Sequence, residues 1–193
     1  MNEKPILFNA EMVQAILSGR KTQTRRIIKL DHERGMVNPV VRGRNGEISS
    51  ITCRLVPMLC PLGQPGDQLW VREAFAAGLC TESTLAYRAT HKTEDLEEGW
   101  GETIKWTPSI HMPRWASRID LLITGVRVER LQSITIGDIC KEVGCGLYDF
   151  FPATDGFRVW TELWDSIYGQ KEGENWQANP WVWVINFERM EAK

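Results

Sequence analysis

The chain of 193 residues has no long apolar run and no excess of basic residues. None of its apolar segments approaches the ~18 residues that would predict a membrane span, and residues 1–5 lack the basic start and apolar core of a signal peptide. Lys and Arg number 23 against 25 Asp and Glu, a net charge of -2, which argues against a polybasic nucleic-acid binder without excluding a local basic patch. These absences predict a cytoplasmic, single-domain protein that is not embedded in a membrane.

The sequence also has little that would bind a metal ion or build a disulfide framework. The five cysteines are irregularly spaced without a CxxC pair, and the three histidines are isolated from one another: Cys53, Cys60, Cys80, Cys140, Cys145, His32, His91 and His111. A zinc site needs about four converging ligands, and disulfide frameworks use paired cysteines in oxidising compartments. We therefore expect no metal, no organic cofactor and a reducing environment.

Tryptophan, in contrast, is unusually frequent, with nine residues in the chain. Five of them lie in the C-terminal part: Trp160, Trp164, Trp176, Trp181 and Trp183. Tryptophan side chains either fill a hydrophobic core or line a groove for a flat ligand such as a base. The pattern alone leaves both roles open.

Hydrophobic periodicity predicts a mixture of strands and helices. Strands are expected at residues 5–8, 68–75, 85–88, 119–128 and 181–187, with a further strand after residues 20–26, and helices at 10–18, 135–143 and 156–168. Asn9 is a typical helix N-cap, and Gly19 suits the left-handed position after a helix. Gly125 predicts a β-bulge. The last strand is apolar almost throughout, which predicts a central position in the sheet.

These elements alternate without regular βαβ spacing and without a repeat of 20–50 residues. We therefore predict an α+β fold, a small and mostly antiparallel β-barrel with surrounding helices, as one domain spanning residues 1–193. Residues 31–66, which are rich in proline and glycine, and the acidic stretch at 90–105 are predicted to be insertions or long loops.

A basic segment follows the first predicted helix. Residues 20–45 contain eight basic side chains and two acidic ones, although the chain as a whole is slightly acidic. A concentrated patch of this kind attracts phosphate, but it is equally typical of a solvated surface segment.

Two motifs accompany this segment. The first, Gly19-x-Lys21-x-x-Thr24-Arg25-Arg26, follows the helix end, and the second, Gly66-Asp67-x-Leu69-x-Val71-x-Glu73, leads into a strand. Both resemble signatures of the ASCH family, within the PUA-like β-barrel superfamily, with Arg26 in the last position of the first motif. Residues 106–118, 163–169 and 179–183 are similar to the longer, phage- and prophage-associated branch. The resemblance covers nearly the whole chain and implies a PUA-like barrel and a nucleotide- or RNA-directed function.

The resemblance further implies a catalytic set. Some small ASCH proteins are amidohydrolases that deacetylate 4-acetylcytidine with a Thr, Lys and Glu, and the matching positions here are Thr24, Lys21 and Glu73. A threonine hydroxyl becomes nucleophilic when a base removes its proton, so the pKa of Lys21 must fall from its ordinary ~10.4 toward neutrality, a cost of about 4 kcal/mol. Burial, Arg25 and Arg26 lower this pKa, whereas an ionised Glu73 raises it. The alternative is a structural Lys21–Glu73 ion pair.

The candidate ligand contacts are cationic or planar side chains near the motifs: Arg25, Arg26, Trp106, His111, Arg114, Trp115 and Arg118. Tryptophan offers a stacking face, and arginine offers paired donors for a phosphate or a base edge. His111 is either a catalytic acid or a structural residue. Three hypotheses follow: an amidohydrolase of an acylated nucleobase or nucleoside, a noncatalytic RNA-binding module, and a phage accessory protein that binds another protein. The oligomeric state is not predicted.

Overall fold

The architecture is that of a computed structural model, which describes residues 2–78, 84–94, 96, 103–146, 149 and 153–191. Within these residues, the strands are β1 (Glu3–Leu7), β2 (Gln23–Ile27), β3 (Val40–Arg42), β4 (Ile48–Ser50), β5 (Gln68–Arg72), β6 (Phe75–Ala77), β7 (Leu85–Tyr87), β8 (Asp120–Arg130) and β9 (Trp181–Arg189). The helices are α1 (Ala10–Leu17), α2 (Ile136–Val143) and α3 (Ala153–Tyr168). The predicted α+β class is therefore confirmed. No helix in the described ranges combines the length and apolar character required to cross a lipid bilayer.

Local sequence signals fix the ends of α1 and α2. The side chain of Asn9 accepts a hydrogen bond of 2.8 Å from a backbone amide in the first turn of α1, and Gly19 follows that helix with a φ of 73°. Thr135 and Asp138 form a reciprocal capping box at the start of α2. Gly144 then ends α2 in the left-handed conformation, with a φ of 81°. These caps confirm the predicted boundaries of α1 and α2, whereas α3 begins at Ala153 rather than at the predicted residue 156.

Five strands form the main sheet, in the order β1-β5-β8-β9-β2. β1 pairs with β5 in parallel, and the other neighbours are antiparallel. The register between β8 and β9 shifts between Ile123 and Gly125, where the bulge was predicted. β9 lies between β8 and β2 and is an interior strand, as its continuous apolar sequence indicates. The hairpins β3–β4 and β6–β7 form two separate sheets.

Alternate side chains of β9 belong to two hydrophobic cores, one on each face of the sheet. Trp183, Ile185 and Phe187 join the first core with residues of α1, β1 and β5. Val182 and Val184 join the second core with residues of α2 and α3. Because both faces are covered, every apolar position of β9 gains from burial, roughly 1.5–3 kcal/mol for each large side chain.

The first predicted insertion, residues 31–66, packs into the domain. It contains β3, β4 and a 3-10 turn at Val56–Leu59, and Val41, Ile51 and Cys60 are buried in the first core. The segment is therefore held by burial of apolar surface as well as by turns. Of the second predicted insertion, only residues 90–94, 96 and 103–105 lie within the described ranges.

Strand pairing within the described ranges produces an open sheet rather than a closed barrel, because β1 and β2 are its two edges. The edges nevertheless approach each other. The Arg26 guanidinium in β2 donates a hydrogen bond of 2.8 Å to the Leu7 carbonyl in β1. Since one side chain bridges them, the sheet is strongly curved, and the two edges face each other across a narrow gap.

Candidate functional site

A cleft of ≈ 620 Å³ lies between the two edges of the main sheet. β1, the start of α1, β2 and the end of α3 supply most of its walls, which are completed by Pro61, Leu62, Arg72, Ser109 and Trp183. Leu7 and Ile167, although large and apolar, remain 43% and 47% exposed at this cleft. Volumes of about 300–1,000 Å³ with mostly apolar walls and a few polar groups are typical of ligand sites.

Two guanidinium groups, those of Arg26 and Arg72, line the cleft. Arg26 donates to the Leu7 carbonyl and lies 5.4 Å from the ring centroid of Phe8. Arg72 donates to the backbone carbonyl of Ile110. Neither arginine forms an ion pair with a carboxylate in the described part of the chain. Two cations without counter-charges favour an anionic or acceptor-rich ligand.

A cavity of ≈ 20 Å³ adjoins the cleft and shares Met12, Arg26, Ile167 and Tyr168 with it. Its other walls come from β2, α2 and α3: Thr24, Arg25, Glu142, Trp160, Leu163 and Trp164. This volume holds a single water-sized group, which needs about 10–15 Å³. We refer to it below as the small cavity.

Lys21 is almost completely buried, with 2% of its surface exposed. Its Nζ donates to the backbone carbonyls of Gln23 (2.7 Å) and Glu142 (2.6 Å) and lies 3.4 Å from Glu142 Oε2. Burial has the largest effect on the pKa of Lys21 and lowers it, the Glu142 carboxylate raises it, and Arg26 and Arg25 lower it, so that the pKa lies below its ordinary value. Three acceptors nevertheless match the three N–H donors of an ammonium group.

Arg25 extends this buried charge network toward β8 and α2. It donates to Glu142 Oε1 at 2.9 Å, contacts the Glu129 carboxylate and lies 3.5 Å from Asp138 Oδ2. The Arg127 guanidinium lies 3.1 Å from the carboxylate of Glu129 and 3.1 Å from that of Asp138. Burial raises the pKa of Asp138, but hydrogen bonds from the capping threonine and the charge of Arg25 lower it to about 2. With the lysine, three cations face three carboxylates, and this balance makes their burial tolerable.

Glu73 is buried as well, but its partner is Arg118. Its two carboxylate oxygens accept hydrogen bonds of 2.9 and 3.0 Å from that guanidinium. The Arg118 guanidinium also lies over the ring of Tyr87, 3.9 Å from its centroid. The bidentate pair uses both carboxylate oxygens. The Lys21–Glu73 ion pair considered from the sequence does not form, because each residue has a different partner.

The predicted catalytic residues are therefore not assembled as one set. Among the described residues, no hydrogen bond or ion pair joins Lys21, Thr24 and Glu73 to one another, and none reaches the Thr24 hydroxyl. Thr24 does line the small cavity, beside Arg25 and Arg26 of the same strand. One of the three candidates thus lies next to the cleft, while the other two are held in separate ion pairs.

Four further candidate ligand contacts lie away from the cleft lining. Arg114 forms ion pairs with the carboxylates of Glu3, at 2.5 Å, and Asp120, at 2.9 Å. Trp106 donates its indole N–H to a threonine hydroxyl at 3.1 Å. Trp115 is 67% exposed, and His111 is also exposed. The structure therefore brings Arg25 and Arg26, but not these four residues, to the cleft or its small cavity.

A second large cavity, of ≈ 470 Å³, lies beside the β3–β4 hairpin. Its charged residues are Glu3, Lys4, Arg44, Glu47 and Asp67. The carboxylates of Glu47 and Asp67 already accept hydrogen bonds from backbone amides. This cavity contains charged groups of both signs, whereas the cleft between the sheet edges contains two cations in mostly apolar walls, so the cleft is the better candidate site.

No protein-family model, no curated protein and no solved structure matches this chain. The ASCH resemblance therefore rests on the motif residues and stays a prediction. In the part of the chain that the structure describes, no group of three or more His, Cys, Asp or Glu side chains is placed to hold a metal ion.

Sequence reasoning did not identify Arg72 or Glu142. Arg72 precedes Glu73 in the second motif, and strand alternation places it on the face opposite to Val71, so a search for strand-borne arginines would have found it. Glu142 lies 121 residues from Lys21, and no local pattern connects the two.

Three of the five C-terminal tryptophans belong to the hydrophobic cores and also line a cavity. Trp160, Trp164 and Trp183 are buried in the two cores. Trp183 also lines the cleft, and Trp160 and Trp164 line the small cavity. The same side chains thus complete the core and form the walls of the candidate site.

Proposed function

We propose that this protein binds a nucleotide, either free or within single-stranded RNA, in the cleft between β1 and β2. The proposal includes ASCH kinship and a PUA-like barrel whose unclosed gap is the cleft. Its main support is the pair of guanidinium groups, Arg26 and Arg72, in a mostly apolar cleft of ≈ 620 Å³. A nucleotide combines a flat base, which suits apolar walls, with an anionic phosphate, which suits guanidinium groups that have no carboxylate partner.

The aromatic walls add to this support. Phe8, Tyr168 and Trp183 line the cleft. Phe8 and Trp183 are buried and supply apolar wall, whereas Tyr168 is partly exposed and offers a ring for stacking, which contributes about 1–3 kcal/mol per base. Because the chain carries a net charge of -2, attraction of a phosphate depends on the local cations rather than on the protein as a whole. The proposal therefore predicts that these two arginines carry most of the electrostatic part of binding.

Isothermal titration calorimetry with uridine monophosphate and with a single-stranded RNA hexamer tests the proposal. Arg26→Gln and Arg72→Gln should each weaken binding at least tenfold, about 1.4 kcal/mol. Arg44→Gln, which removes a charge from the cavity beside the β3–β4 hairpin, should change it less than about twofold. Absence of binding at millimolar nucleotide, or an equal loss in Arg44→Gln, would contradict the proposal.

Deacylation of an N-acylated nucleobase is the second candidate function. Two observations favour it: the Thr24 hydroxyl lines the small cavity without a hydrogen bond from a described residue, and burial lowers the pKa of Lys21. In this reaction Lys21 first leaves one of its carbonyl acceptors, and its neutral amine then takes the hydroxyl proton. Thr24 Oγ1 attacks the acyl carbon, the C–N bond breaks, and the leaving amine receives the proton from Lys21. Water then hydrolyses the acyl ester. Glu73 is paired with Arg118 outside both cavities and takes no part in this reaction.

A chromatographic assay of 4-acetylcytidine hydrolysis separates the two functions. Turnover that disappears in Thr24→Val, while the variant still binds the product, would establish the hydrolase. Thr90→Val, at an exposed position, is the matched control and should retain full activity. A wild-type protein that binds nucleotides without turnover would be a noncatalytic binding module.

A further inference from the structure

Three buried side-chain nitrogen atoms lack a hydrogen-bond partner among the described residues: Arg25 Nε, Arg72 Nε and Trp160 Nε1. All three are donors. Arg72 lines the cleft, and the other two residues line the small cavity beside it. Since most buried polar side-chain atoms in native proteins are hydrogen-bonded to protein or to ordered water, these donors need an acceptor from outside the chain, which is either a water molecule or an atom of a ligand.

The small cavity has the chemistry of an acceptor site. Arg25 is 2% and Trp160 4% exposed, so neither N–H can be satisfied by bulk water. The hydroxyl of Thr24 is a third donor on the same cavity. A volume of ≈ 20 Å³ admits one oxygen-sized group, which excludes a whole phosphate.

The neighbouring carboxylate narrows the choice further. Glu142 also lines the small cavity, and its oxygens already accept from Lys21 and Arg25. In the buried network three cations already face three carboxylates, so a neutral carbonyl oxygen accepts hydrogen bonds without changing that balance. The occupant is therefore a neutral acceptor.

The geometry points to a carbonyl-oxygen subsite: the small cavity binds the exocyclic oxygen of a keto-bearing base whose ring lies in the adjoining cleft. This inference rests on the proposed nucleotide binding and names the class of base that the site selects. An exocyclic amino group in the same place would direct N–H donors at the N–H donors of Arg25 and Trp160. A 6-keto purine nucleotide should therefore bind at least tenfold more tightly than its 6-amino counterpart.

Inosine monophosphate and adenosine monophosphate are the matched probes, because they differ at position 6 of the purine, which carries a keto oxygen in one and an amino group in the other. Titration of the wild-type protein should show at least a tenfold preference for inosine monophosphate. Trp160→Phe, which removes one donor and keeps an aromatic ring, should weaken inosine monophosphate at least fivefold and leave adenosine monophosphate within twofold. Trp115→Phe is the control, because Trp115 is 67% exposed and lines neither the cleft nor the small cavity, and it should keep the preference.

The outcomes separate this inference from the proposed function. Binding of both nucleotides with equal affinity would overturn the carbonyl subsite and leave the nucleotide site intact. A preference that survives in Trp160→Phe would also overturn it. If neither purine nucleotide binds but uridine monophosphate does, this inference fails and the proposed function stands; if none of the three binds, both fail. The comparison in the wild-type protein decides the matter even if a tryptophan variant fails to fold.

Discussion

Glu142→Gln removes the negative charge on which two buried cations depend. The carboxylate is 3% exposed, and it lies 3.4 Å from Lys21 Nζ and 2.9 Å from an Arg25 nitrogen. Glutamine has nearly the same shape, so the substitution changes the charge without opening a cavity. Lys21 and Arg25 then remain buried with less compensation.

The expected loss of stability is about 3–5 kcal/mol. At an effective dielectric constant of ~20, each of the two attractions is worth roughly 5 kcal/mol. Part of this loss is offset, because the folded variant no longer has a carboxylate to desolvate. Breaking a buried ion pair by removing one partner therefore lowers stability by about 3–5 kcal/mol in practice. With an m-value of about 2 kcal/mol/M, the midpoint of urea unfolding should fall by about 1.5–2.5 M.

Urea unfolding followed by circular dichroism and tryptophan fluorescence measures this change. The control is Glu162→Gln, which breaks a surface pair with Arg158 in which both side chains are more than 60% exposed, and it should cost less than about 0.5 kcal/mol. The double variant Lys21→Met/Glu142→Gln should be about 1–3 kcal/mol more stable than Glu142→Gln alone, because one of the two cations left without a partner is removed. Equal midpoints for Glu142→Gln and Glu162→Gln would refute the reasoning.

Two further predictions concern α2. The pKa of Asp138, about 2, lies below the ordinary 3.8, so the folded state binds fewer protons than the unfolded state between these values, and stability falls as the pH drops from about 4 to 2. Asp138→Asn should flatten that part of the stability profile by about 1–2 kcal/mol; an unchanged profile would contradict the assignment. Gly144→Ala should lower the melting temperature more than Gly46→Ala does. Both glycines have positive φ, but an added Cβ at Gly144 would lie 2.7 Å from the Cβ of Ala15, whereas at Gly46 it meets nothing within 4 Å. The clash adds about 1–3 kcal/mol, and equal losses in calorimetry would show that the contact relaxes.

Local elements were largely predictable because their signals lie within a few residues of one another. Asn9 caps α1 through an amide three residues away, and the Thr135–Asp138 box spans the same distance. The bulge at Gly125 and the interior position of β9 also follow from short patterns. In each case the signal lies within one helical turn or within a single strand.

The partners of the buried charges were not predictable in this way. Lys21 and Glu73 carry compatible charges, and the motifs made their pairing a natural alternative. Lys21 instead pairs with Glu142, and Glu73 pairs with Arg118. The sequence does not show which of several carboxylates will pair with a given lysine. The packing of α2 against β2 decides which carboxylate lies close to Lys21.

The sequence by itself determined the capped ends of α1 and α2, the burial of β9 in the sheet interior, and the concentration of cations after α1. The tertiary structure alone decided that the two sheet edges face each other, so that Arg26 and Arg72 line one cleft. The physical reason is range: caps and periodicity act over three or four residues, whereas the cleft depends on the curvature of a whole sheet and on contacts between residues far apart in the chain.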